Sequence, residues 1–275
     1  MSDALVARDD LARRRPWLSV LYGTPISVLG GLIGLGGAEF RLPVLIGPLG
    51  YDAKQAVPLN LAISLITLAA SLLIRARTLS LDAVAPHTAS ILALIAGAMV
   101  AAFFGASLAS RLSKERLERI ILVLLVVIGF ALIIEAFITS EGSGLLPEAT
   151  VWRVVAGILF GLAIGLVSSL LGVAGGELII PTMVFAYGLD IKTAGTASLL
   201  ISLPTVTVGL IRYASRGAFT DRRPFTETVA PMGVGSVIGA VIGGALVGIV
   251  PVPILKFGLG IILNVSAWRM FRHKH

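Results

Sequence analysis

Residues 91–110 and 228–250 contain no charged side chain, and 120–134 is a shorter stretch of the same kind. These runs restrict the fold more than any other feature of the chain. A helix rises about 1.5 Å per residue, so roughly 20 apolar residues cross a hydrocarbon core about 30 Å thick. Inside a bilayer each backbone polar group must find its partner within the protein, which a helix achieves alone. Composition agrees with that reading. Hydrophobic residues make up 56% of the 275 positions and charged residues 13%, where a soluble domain carries about 25% charged residues. The chain is therefore read as an all-α polytopic membrane protein. It has no cysteine, which rules out disulfides and thiolate metal sites. Its start, MSDALVARDDLARRRP, lacks the short apolar core of a removable signal peptide. The net charge of +7 is assigned to a positive-inside bias and anionic headgroups, so no nucleic-acid partner is expected.

Two glycine-rich stretches interrupt the apolar pattern: GLIGLGGAEFRLP at 31–43 and SLLGVAGGELIIP at 169–181. An offset of 138 aligns the halves without a gap. Gly37 falls on Gly175, Glu39 on Glu177, Pro43 on Pro181, Asp52 on Asp190, Lys54 on Lys192 and Ser64 on Ser202. Positions 34–67 hold 13 identities across 34 positions. Apolar stretches match by chance, but matched Glu, Pro, Asp, Lys and Ser do not. The sequence reads as an internal duplication, a unit of about 20–134 repeated as 158–272.

Each unit is expected to begin with an apolar segment (17–33) running into the glycines and a short arm (39–49). A helix from about 55 to 75–77 follows, then one opened by Pro86 that ends near 111, and one over about 117–138. Proline suits a first helical turn. The arm rises only about 16 Å as a helix, half a membrane, so the glycine turn is expected at mid-depth in a broken or re-entrant hairpin. The expected fold class is two inverted-topology repeats, each such a hairpin plus three transmembrane helices. The boundaries are a cytoplasmic segment 1–16, the first repeat 17–138, an external linker 139–152, the second, inverted repeat 153–270 and a cytoplasmic tail 271–275.

Charge sets the sidedness. Arg8, Arg13, Arg14 and Arg15 mark the N-terminus, and Arg111, Lys114, Arg116 and Arg119 mark the 111–119 loop; the 140–152 linker has no positive charge. With both termini cytoplasmic, the second unit runs upside down. Arg212, Arg216, Arg222 and Arg223 then lie inside, while IVPVP at 249–253, the counterpart of 111–119, lies outside and has no charge. Of 22 Lys and Arg, 16 fall inside; Arg75 and Arg77 are among the exceptions. Inverted repeats with interrupted helices meeting near the midplane are a plan of secondary transporters.

The glycine turns, Gly36, Gly37 and Ala38 with Gly175 and Gly176, would present the free amides and positive dipole ends of two short helices to one central cavity. That is an anion site; close helix packing is the alternative role for the glycines. Glu39 and Glu177 either cap those amides or carry a proton coupled to anion movement, since acids in membrane segments are costly and often functional. Arg41, opposite Ile179, either attracts the anion or pairs with Glu39, although the i to i+2 spacing disfavours pairing. Asn60, Ser64, Thr67 and Ser71 lie on one helix face, echoed by Ser198, Ser202, Thr205 and Gly209. These groups could donate to an oxyanion or bond their own helix carbonyls. Gly235, Gly239 and Gly243 read as a packing face, and Asp52–Lys54 and Asp190–Lys192 as helix caps. No histidine cluster, Walker A sequence or nucleophile–base pair is present, so no metal, cofactor, ATP drive or catalytic residue is expected.

The segment GLIGLGGAEFRLPVLIGPLGYDAKQAVPLNLAIS and its echo SLLGVAGGELIIPTMVFAYGLDIKTAGTASLLIS resemble the sulfite exporter TauE/SafE family over about residues 17–270. The glycine turn, the proline and the Asp-x-Lys-x-Ala segment carry the likeness. Gly36, Gly37, Pro43, Asp52, Lys54 and Ala56 match in the first copy, and Gly175, Gly176, Pro181, Asp190, Lys192, Ala194, Thr196 and Ser198 in the second. The resemblance implies a bacterial inner-membrane transporter, by family an exporter, of a small sulfur-containing anion such as sulfite or a sulfoacetate-like organosulfonate. A passive anion channel, or an enzyme or non-transporting assembly factor in the membrane, are the alternatives.

Overall fold

The computed structural model describes residues 2–33, 37–78, 81–135, 137, 144–245 and 252–272. The described residues are nearly all helical, and no strand occurs among them. The helices are α1 (Ser2–Ile33), α2 (Ala38–Ile46), α3 (Ala53–Thr78), α4 (Thr88–Arg111), α5 (Lys114–Glu135), α6 (Thr150–Leu171), α7 (Gly176–Pro181), α8 (Ile191–Ser215), α9 (Ala230–Ala245) and α10 (Val252–Arg272). A 3-10 turn, Leu81–His87, precedes α4, and π turns at Thr182–Ala186 and Phe225–Val229 follow α7 and precede α9.

Among the described residues six segments are long and apolar enough to cross a membrane: Ala53–Leu73, Val84–Arg111, Lys114–Ile134, Thr150–Leu171, Thr193–Ser215 and Phe225–Gly243. Their outward faces carry bare hydrophobics such as Phe104, Val127, Phe130, Leu159 and Ile211. In water these would form an adhesive patch, whereas lipid tails solvate them. The protein is a multi-pass membrane protein.

The period of 138 survives in the helix boundaries. Ala38 and Gly176, Ala53 and Ile191, and Lys114 and Val252 open α2 and α7, α3 and α8, and α5 and α10; Ile33 and Leu171 close α1 and α6. Some boundaries move from the sequence reading. The helix after Pro86 opens at Thr88, with Pro86 inside the 3-10 turn. α1 begins at Ser2 and runs through Pro16 and Pro25.

Helices from different halves interleave. α1 packs along α9, and α6 along α4; α3 meets α8, and α5 meets α10. Small residues permit this approach. A side chain at Gly97 or Gly161 would strike the Ile158 or Leu94 carbonyl across the α4–α6 seam, and one at Gly239 would strike Thr24 of α1. Gly235, on the same stripe of α9, lies against Val20 and Thr24, as its packing pattern predicts. Without a hydrophobic driving force between helices in lipid, such contacts supply much of the cohesion.

The second helical cap expected from sequence is present: the Asp190 side chain accepts from the Thr193 amide at 3.1 Å. Its counterpart Asp52 pairs with Lys114, tying the start of α3 to the start of α5.

Candidate functional site

Both glycine turns end in a residue with left-handed backbone. Gly37 (φ 69°) precedes α2 and Gly175 (φ 82°) precedes α7. An L side chain there costs roughly 1–2 kcal/mol, which explains glycine at both positions. Each turn reverses the chain into a short arm opening at Ala38 or Gly176, as expected. Gly36 lies outside the described residues. Each arm carries its glutamate in the first turn and a proline four residues later, Pro43 or Pro181. Proline has no N–H, so the Glu39 and Glu177 carbonyls lack the ordinary helical donor.

The arms are buried. Ala38 is 1% exposed, Glu39 0%, Arg41 0% and Glu177 4%. Neither pair of carboxyl oxygens makes a hydrogen bond of ordinary geometry among the described residues. Capping of the free amides by these side chains is therefore not what the described arrangement shows. The two carboxyl groups instead approach each other, and the Arg41 guanidinium lies within electrostatic reach of both. Charges in a low-dielectric interior interact far more strongly than in water.

Arg41 does not point along its own helix face. Its Nε donates to Asn60 Oδ1 at 3.2 Å and its Nη2 to Ser64 Oγ at 2.9 Å. The Asn60 amide in turn donates to the Ala38 carbonyl at 2.8 Å. Two residues of the polar stripe on α3 thus hold the arginine and the start of α2. A guanidinium with several donors satisfied at fixed angles is a rigid positive charge.

The second half lacks this arrangement because Ile179 stands where Arg41 would be. On α8, Ser198 is 2% exposed, Ser202 0% and Thr205 1%. Ser202, the counterpart of Ser64, has a buried hydroxyl with no hydrogen-bond partner among the described residues. An unmatched buried hydroxyl costs about 1–3 kcal/mol, and a ligand oxygen would remove that cost.

The two threonines behave alike. Thr67 Oγ1 donates to the Ile63 carbonyl at 2.9 Å and Thr205 Oγ1 to the Ile201 carbonyl at 2.7 Å. Their protons are spent on their own helices, so each offers a lone pair rather than a donor. The structure joins Ala38, Glu39, Arg41, Asn60, Ser64 and Glu177 into one buried centre and leaves Thr67 and Thr205 bonded locally. Among the described residues no group of three or more His, Cys, Asp or Glu gathers.

Comparison with known proteins fits this architecture. Residues 4–132 and 157–275 match the sulfite exporter TauE/SafE family, with the break between the two halves. The chain belongs to the sulfite exporter TauE/SafE family. This TauE/SafE chain is 24% identical over 241 residues to the "Probable membrane transporter protein YdhB" of Bacillus subtilis (strain 168), covering 87% of this chain and 93% of that protein. No solved structure matches it.

Proposed function

We propose that this chain is a secondary transporter that exports a small sulfur-containing anion, sulfite or an organosulfonate of the sulfoacetate kind, across a bacterial inner membrane. The observation that carries the reading is the buried centre to which both halves contribute: a clamped Arg41 beside the facing Glu39 and Glu177. A fixed guanidinium favours an oxyanion. Two carboxylates side by side repel if both are ionised, so such a pair is suited to holding a proton. The proposed cycle exchanges a proton on Glu39 or Glu177 against anion movement past Arg41, with Ser198, Ser202, Gly37, Gly175 and Gly176 lining the anion's position. The Asn60, Ser64 and Ala38 bonds keep the arginine in place, and Thr67 and Thr205 complete the wall.

The two halves are proposed to be inverted repeats with both termini in the cytoplasm. The positive-charge count supports that orientation, and the crossed packing of α1 on α9 and α6 on α4 supports a twofold relation. Alternating access would then rock the two hairpins against the surrounding helices.

Reconstituted protein tests this directly. Wild type should move sulfite or sulfoacetate faster when an inward proton gradient opposes the anion, and Glu39→Gln or Glu177→Gln should abolish that response. A gradient response unchanged in both variants would remove the proton from the cycle. Flux that follows voltage and never accumulates the anion would replace the transporter by a channel. A thermal-shift series with sulfite, sulfate, thiosulfate, sulfoacetate and taurine would rank the substrates, because a ligand bound to the folded state raises apparent stability.

A further inference from the structure

A cavity lined by none of the residues of the buried centre lies at the ends of several helices. It encloses about 190 Å³ and is lined by Lys54, Ser110, Leu117, Tyr213 and Arg216, with the turn at Gly217 closing one side. Water occupies about 30 Å³ in the liquid, so the space admits an anion of several heavy atoms. Two cations, one from each half of the chain, border it. Neither Lys54 nor Arg216 makes an ion pair among the described residues. The carboxylate nearest in sequence to Lys54, Asp52, is engaged by Lys114. The cavity therefore presents two exposed positive charges beside an apolar floor, a setting that draws an anion in.

Its floor rests on the second glycine turn. Val57 lines the cavity, and its carbonyl lies so close to Gly172 that no side chain fits there. Tyr213, also in the lining, donates its hydroxyl to the Ser169 carbonyl at 2.9 Å. Gly172 closes α6 in left-handed backbone (φ 67°) and leads through the turn to Glu177. The cavity thus backs onto the second glycine turn, beside the 111–119 loop whose Leu117 lines it. The other half is not a copy: the offset keeps a lysine, Lys192 opposite Lys54, but places Thr78 opposite Arg216 and Arg75 opposite Tyr213.

We propose that the Lys54–Arg216 cavity is a one-sided oxyanion subsite, at which the transported anion docks before it passes the second glycine turn. This rests on the transporter reading above. The shared chemistry is a small oxyanion held by an ammonium and a guanidinium, and a phospholipid headgroup phosphate would satisfy it as well as a free sulfur oxyanion.

The chain has no cysteine, so a single one at Ser113 reports by its reaction with an impermeant maleimide which way the protein faces in vesicles. In oriented phosphatidylcholine vesicles, sulfite flux is measured from each face for wild type, for the Lys54→Gln/Arg216→Gln double variant and for Arg216→Glu. Losing two charge-assisted contacts should raise the sulfite KM about tenfold from the face bearing Ser113, leave kcat within about twofold and leave the opposite face unchanged. High salt should shrink the difference, because exposed charges are screened. Repeating the series with phosphatidylglycerol distinguishes the source. A wild-type flux that requires this lipid, lost in both variants with no change in sulfite KM, assigns the cavity to a headgroup. Equal KM values from both faces in all three proteins, with no lipid dependence, overturn the subsite. If wild-type vesicles carry no anion at all, the transporter reading fails instead. Sulfite-induced thermal stabilisation, compared between wild type and the double variant, then decides the subsite alone.

Discussion

The two short arms begin alike and end in different chemistry. α2 and α7 each open beyond a left-handed glycine, carry a buried glutamate in their first turn and reach a proline four residues later. Yet α2 places a guanidinium among Asn60, Ser64 and the two glutamates, while α7 places the aliphatic Ile179 there and leaves the Ser202 hydroxyl unmatched. A duplicated scaffold fixes where backbone and acids go. One substitution then decides which half owns the positive charge and which half has an unused donor. The difference assigns distinct tasks: the first half holds the countercharge still, and the second offers a hydroxyl that only a visitor satisfies.

Making the halves alike should have the largest effect. Arg41→Leu removes the only cation of the buried centre among the described residues and leaves two acids facing each other. Breaking a buried charged cluster by removing one partner costs about 3–5 kcal/mol, so thermal unfolding in detergent should show a large fall in midpoint. Anion flux at matched protein should drop to background. Arg41→Lys keeps the charge but not the two-point clamp, and should recover stability more than flux. A variant with normal flux would show that the arginine is scaffold only.

The serines give a smaller effect with opposite signs. Ser64→Ala removes a hydroxyl bonded to Arg41 and should lower stability by about 1–3 kcal/mol. Ser202→Ala removes a hydroxyl that bonds nothing among the described residues, so ligand-free stability should hold or rise slightly while the anion KM rises a few-fold. Paired melts with and without sulfite separate the two. If Ser202→Ala loses stability as Ser64→Ala does, the second half has a structural serine too.

The smallest contrast is at the turns. Gly37→Ala and Gly175→Ala both force an L residue into left-handed backbone, at about 1–2 kcal/mol. At Gly37 the new Cβ would also stand 2.8 Å from the Ile26 carbonyl, whereas at Gly175 the nearest atom is a side-chain carbon of Ile164 at 3.1 Å. A methyl group on a side chain yields more readily than a backbone oxygen. Gly37→Ala should therefore melt lower than Gly175→Ala, and equal midpoints would mean the first turn relaxes.

Much of the backbone plan was legible in the sequence because repetition is a local property. The constant offset predicts matched helix starts, and Ala38 and Gly176 open their arms where the glycine pattern puts them. The glutamates read as buried because they interrupt apolar runs. Partners across helices were not legible. The spacing from Glu39 to Arg41 speaks only about their own helix, whereas the arginine's bonds depend on how α2 lies against α3. Thr67 and Thr205 illustrate the same limit: the stripe fixes their face, but a rotamer decides whether a hydroxyl turns outward or to its own carbonyl. The Lys54–Arg216 cavity left no periodic signal, since its walls come from the ends of α4 and α8 and the starts of α3 and α5.

The crossed packing of the halves has a consequence for how the chain is made. When a ribosome has completed α5, the glycine face of α4 and the inner face of α1 both lack the helices that cover them, because α6 and α9 are not yet synthesised. Ser27 on α1, fully buried in the finished protein, still faces lipid or its insertion machinery at that moment. The first half is a nascent chain waiting for its second, and truncation after residue 138 should yield a product that membrane quality-control proteases remove rather than a half-size transporter.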